Sequence, residues 1–100
     1  MTDAKTLDDV GVLSSDIVEM SPMFLMRWEE PQQSHVLLYP EGLVKLNESA
    51  AAILEQCKSP SSVSDIVGRL CNLYRINDIE DDVKEFIATS LEKGWLRRAS

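Results

Sequence analysis

The stretch HVLLYPEGLVKLNESAAAIL, residues 35–54, constrains the fold of this chain more than any other segment. It opens on an apolar run in which Val36 and Leu38 face one way and His35, Leu37 and Tyr39 the other, as in a strand. Tyr39-Pro40-Glu41-Gly42 then sets a proline where a turn wants φ near roughly −65°, followed by a glycine where hairpins use a left-handed residue or a bulge. Residues 43–46, LVKL, are the returning strand. Asn47 follows at once as a helix N-cap, and Ala50, Ile53, Leu54 and Cys57 recur at i, i+3, i+4 and i+7, which predicts a helix over 48–57. Strand, turn, strand and helix are read without a linker between them.

The flanks complete the pattern. MFLMRW, residues 23–28, alternates Phe24, Met26 and Trp28 against Leu25 and Arg27, a strand with one buried face, and EEPQQS breaks it. Ser62-x-x-Asp65 reads as the start of a second helix with Val63, Ile66, Val67, Leu70, Cys71 and Tyr74 on one stripe. A third helix starts from Asn77 or Asp78, carries Ile79, Val83, Phe86, Ile87 and Leu91, and closes at Lys93 and Gly94; Trp95 and Leu96 fold back as an apolar plug. Residues 1–22 hold five acids, one lysine and scattered small apolar residues, and are expected to be a flexible acidic tail. Gly11 and Ser14-Ser15 weaken the one turn that Leu7, Val10 and Leu13 would form. The expected architecture is α+β, a three-stranded antiparallel sheet followed by three helices over residues 23–97, similar to a winged helix-turn-helix with the hairpin as its wing.

One hundred residues suffice for a single core, and a 44% hydrophobic content suits a globular chain. Ten basic residues against seventeen acidic ones leave a charge of −7, which opposes nucleic acid and anionic membrane; Arg97-Arg98 is the lone adjacent basic pair. A winged-helix nucleic-acid binder is the alternative that the architecture invites, but the third helix carries acids where a reader helix needs Arg, Lys, Asn or Gln. Cys57 and Cys71 fall on apolar helix faces and read as buried thiols. With one histidine and no Cys-x-x-Cys spacing there is no metal signature. His35 has no nucleophile paired with it, the acids of residues 78–85 suit a helix start, and no glycine-rich phosphate loop or cofactor motif occurs. The order Ser64-Asp65-Ile66 reverses the Asp-Ser-Leu of carrier proteins. No export signal or membrane span is read, so the cytoplasm is the expected compartment. Binding through shape remains, and residues 43–46, last strand of a meander, offer an edge that an extended peptide could join unless Lys45 and shortness blunt it.

RWEEPQQSHVLLYPEGLVKLNESAAAILEQC, with DDVKEFI and the terminal GWL, resembles the PqqD family, the pyrroloquinoline quinone (PQQ) biosynthesis protein D, over about residues 24–96. The string LLYPEG joined to KLN-x-SAA carries most of the likeness; Lys58-Ser59 departs from the Asp-Gly that family members often place after the first helix, which removes a left-handed glycine cap. The resemblance implies a non-catalytic, cofactor-free peptide chaperone, a RiPP recognition element. Such a protein binds the precursor peptide PqqA as an added strand and presents it to the radical S-adenosylmethionine enzyme PqqE. It implies backbone pairing along Leu43, Val44, Lys45 and Leu46 and a groove wall from Asp82, Glu85, Phe86 and Thr89. A homodimer formed by strand exchange is left open.

Overall fold

The computed structural model describes residues 11–99. In chain order these form β1 (Ile17–Met20), β2 (Leu25–Glu29), β3 (Ser34–Tyr39), β4 (Gly42–Lys45), α1 (Glu48–Glu55), β5 (Ser61–Ser62), α2 (Val63–Tyr74), α3 (Glu80–Lys93) and β6 (Leu96–Arg98). The strands make two antiparallel sheets, β2-β3-β4 and β5-β1-β6. The α+β class and the β2-β3-β4 meander agree with the expectation, and the second sheet is additional to it.

The meander is built by its turns. Tyr39 pairs with Gly42, so Pro40 and Glu41 form a two-residue loop. Gly42 sits at φ 155°, a conformation L side chains rarely adopt. Met26, Leu37 and Val44 are cross-strand partners on the inner face, where Leu37 is fully buried. On the outer face Val36 is also fully buried, flanked in register by Arg27 and Lys45, whose aliphatic stems can cover apolar surface while their charges stay wet. Trp28, expected on the buried face, is half exposed at the end of the sheet, where its ring meets the edge of His35 at 5.2 Å.

Helix starts follow the cap logic in two cases out of three. Asn47 Oδ1 accepts from the Ala50 N–H at 2.7 Å, and Ser62 Oγ accepts from the Asp65 N–H at 3.1 Å. The third helix differs from the expectation: its N-cap is Ile79, which makes no side-chain cap bond, while Asp78 takes a left-handed φ of 60° to turn the chain. Acids at Glu80, Asp81 and Asp82 face the positive end of α3 instead. Gly94 ends α3 at φ 82°, with its N–H on the Leu91 carbonyl and the Trp95 N–H on the Ser90 carbonyl. The loop after α1, lacking Asp-Gly, closes without a left-handed residue. Gln56 stays right-handed, and the Ser61 hydroxyl donates to the carbonyls of Gln56 and Ser59.

The larger correction concerns residues before Pro22. Those up to residue 10 lie outside the described residues, but residues 17–20 are the central strand of the second sheet rather than tail. Val12 and Val18 are fully buried in the common core with Leu54, Cys57, Val63, Ile66, Ile87 and Leu96. Leu96 is the expected plug, delivered as the first residue of β6 against Met20. Tyr74, assigned to the apolar stripe of α2, is exposed together with Leu73 and Ile76, because α2 runs past the end of the core there.

Candidate functional site

The edge of β4 is the first half of the site. Strand order places β4 outermost, paired to β3 alone. The Leu46 N–H donates to the His35 carbonyl at 2.9 Å. Backbone groups alternate along a strand, so residues 42, 44 and 46 point theirs into β3, while Leu43 and Lys45 point N–H and C=O away from it. Among the described residues no backbone hydrogen bond is formed by the outward N–H or C=O of Leu43 or Lys45. Side chains alternate in the other sense: Val44 and Leu46 pack toward the core, whereas Leu43 and Lys45 stand on the outer face. There Leu43 continues an apolar rung with its partner Leu38 and with Leu25, two of the three (Leu25 at 60% and Leu43 at 47%) being substantially exposed. That rung was not singled out from sequence, although the alternation of residues 25, 38 and 43 contained it.

The second half is α3. Asp82, Glu85 and Thr89 are exposed along one face of the helix, and Phe86 beside them is partly buried against the core, its ring 6.3 Å from that of Trp95. Phe86 is therefore both core and surface. The predicted residues do not form one closed groove. Val44, Leu46 and Phe86 meet in the same hydrophobic cluster, but the hollow that Glu85 and Thr89 line is shared with Ala88, Leu91, Glu92 and Arg98 and includes no residue of β4.

Hydrogen bonds from Lys84 first, and then from the Ser14 hydroxyl, hold the Glu80 carboxyl below its usual range, so the start of α3 is firmly anionic. Burial pushes the Cys57 thiol up to about 12, leaving no thiolate for nucleophilic work. Among the described residues no three His, Cys, Asp or Glu side chains converge on a metal position. No helix among those residues is long and apolar enough to cross a membrane.

Known proteins resemble this chain over most of its length. The family model for coenzyme PQQ synthesis protein D (PqqD) matches residues 34–96. The chain is 47% identical over 81 residues to a PqqA binding protein of Methylococcus capsulatus, covering 81% of this chain and 87% of that one. It is 46% identical over 83 residues to a PqqA binding protein of Azotobacter vinelandii, covering 82% and 90%. The solution structure of the PqqD truncation of Methylobacterium extorquens PqqCD, described as a functional, stand-alone RiPP recognition element, superposes with a TM-score of 0.75 at 28% identity, over 91% of this chain and 99% of that one. Matched across the hairpin, all three helices and most of its length, the chain belongs to the PqqD family.

Proposed function

We propose that this protein binds the precursor peptide PqqA as a fourth strand on the open edge of β4, with α3 as the opposing wall, and presents it to the radical S-adenosylmethionine enzyme PqqE in the cytoplasm. As a PqqD-family member it is an accessory protein, not a catalyst. The observation that carries the peptide reading is the outward pair of N–H and C=O groups at Leu43 and Lys45, a template of the kind used in strand addition. A guest strand gains four backbone hydrogen bonds there, about 0.5–1.5 kcal/mol each, and side chains against the Leu25–Leu38–Leu43 rung or beside Phe86 add about 1.5–3 kcal/mol apiece. After association and ordering costs this corresponds to a dissociation constant of roughly micromolar. Lys45 supplies a partner for a peptide carboxylate, and the acidic α3 disfavours nucleic acid.

Titrating isotope-labelled protein with PqqA tests the reading. Amides of residues 43–46 and of α3 should move together; shifts confined to other elements, or no binding at roughly tens of micromolar, would overturn it. Co-purification with PqqE should strengthen when PqqA is present. A second copy pairing through the same β4 edge is the competing occupant, and it requires PqqA affinity to weaken as protein concentration rises.

A further inference from the structure

We infer that the open edge of β4 reads its peptide in a fixed order: an acidic residue beside Lys45 and, two positions further toward the peptide's C-terminus, an aliphatic residue beside Leu43. This order rests on the strand-addition reading above and adds a direction and a sequence pattern to it. Two cross-strand rungs of unlike chemistry end at this edge. Leu25, Leu38 and Leu43 form one, and its last member is 47% exposed. Arg27, Val36 and Lys45 form the other. Within it the Arg27 guanidinium is held by Glu29 at 2.7 Å, whereas the exposed Lys45 has no ion pair among the described residues. Each rung thus stops at a side chain whose next neighbour is the guest strand. Beside Leu43 an aliphatic group extends the apolar surface, and beside Lys45 a carboxylate supplies a counter-charge.

Register fixes the spacing and the direction. Leu43 and Lys45 turn both backbone groups outward, and in an antiparallel pair such a residue exchanges both bonds with the one directly opposite. An antiparallel guest therefore makes all four bonds through two residues, separated by one that faces Val44. A parallel guest needs three residues spread over five positions for the same four bonds, and that pairing is weaker per residue. Every strand pair among the described residues is antiparallel. Residues directly opposite share a face, so the two bonding residues of the guest lie on the outer face, about 7 Å apart, beside Leu43 and Lys45. The residue between them faces inward beside Val44, which packs in the cluster that includes Phe86, and an apolar side chain suits it. From N- to C-terminus the pattern is acid, apolar, aliphatic.

Double-mutant cycles by calorimetry test this order, with PqqA variants in which each carboxylate in turn becomes its amide. One such variant should bind the protein about two- to fivefold more weakly than PqqA does, yet bind Lys45→Met no differently from PqqA. The loss should shrink at about 1 M salt, since the pair is exposed. Alanine two positions further toward the C-terminus of PqqA should weaken binding by a similar factor to the protein but not to Leu43→Thr. The peptide substitutions leave the protein untouched, so a folding defect cannot imitate either coupling. If the amides of residues 43–46 shift with PqqA but no acid couples to Lys45, or the residue coupled to Leu43 lies on the N-terminal side of that acid, the order is wrong and strand addition stands. If those amides do not move at all, strand addition fails and takes the order with it.

Discussion

The two sheets are built from the same number of strands but in opposite ways. The β2-β3-β4 meander comes from neighbouring segments joined by short turns, and its last strand keeps one side open. The β5-β1-β6 sheet gathers its strands from positions 17–20, 61–62 and 96–98, and β1 is bonded on both sides. Ion pairs reinforce that second closure: Arg97 to Glu19 at 2.9 Å and Arg98 to Asp16 at 2.7 Å. The lesson is a division of labour. Local pairing forms a hairpin cheaply and can leave an edge available, whereas long-range pairing joins residues 17–20 to residues 61–62 and 96–98 and leaves β1 no open side.

The strongest challenge to that division is truncation. A chain starting at Ser21 loses the central strand and the fully buried Val12 and Val18, about 1.5–3 kcal/mol per side chain before the ladder is counted, out of a total of about 5–15. It should be unfolded by circular dichroism. A folded, PqqA-competent product from Ser21 would show that the second sheet is dispensable.

Next in size is a pair of prolines that separates edge from ladder. Lys45→Pro removes an outward N–H, so calorimetry should show roughly tenfold weaker PqqA binding with little change in melting temperature. Val44→Pro removes the N–H that bonds β3 and should lower the melting temperature itself. Equal thermal losses for both would mean that the edge is not free. Gly94→Ala, forced to φ 82° at the end of α3, should cost about 1–2 kcal/mol in urea unfolding, as a loss of stability with PqqA contacts intact.

The smallest effect concerns acid. The Leu13 N–H and then Arg98 lower the Asp16 carboxyl below its ordinary value of 3.8, outweighing the upward pull of burial. A carboxyl lowered on folding contributes stability above its unfolded value, and that contribution is lost as pH falls through the folded one. Stability should therefore decline below about pH 4, and Asp16→Asn should flatten part of that decline; for a solvent-screened pair the difference is below about 1 kcal/mol, read from urea midpoints at pH 5 and pH 3.

Much of the meander was legible because its signals are local. Asn47 and Ser62 cap their helices from one turn away, Pro40-Glu41-Gly42 turns the chain by its own backbone preferences, and alternation puts Met26 on the buried face of its strand and Leu37 on the face opposite Val36 and Leu38. β1 was not legible, since IVEM has little apolar alternation of its own and becomes a strand by pairing with partners some 40 and 80 residues away in sequence. The start of α3 was misplaced for a related reason. Asp78 looks like a cap in isolation, but the chain uses its tolerance of left-handed φ to make the turn, and Glu80 then finds Ser14 across the fold.

For the candidate site the same split holds. Residues 43–46 could be identified as a last strand from the hairpin pattern, whereas Asp82, Glu85, Phe86 and Thr89 were implied as a groove wall by the family likeness alone. That Leu43 and Lys45 rather than Val44 and Leu46 turn their backbone outward depends on the register with β3. That Glu85 and Thr89 share a hollow with Arg98 depends on where β6 docks. By itself the sequence determined the segments that form by short-range geometry, because turn and cap energies act within a few residues. Tertiary structure decided which edge stays open and what stands beside α3, because those are set by contacts between segments that no local preference encodes.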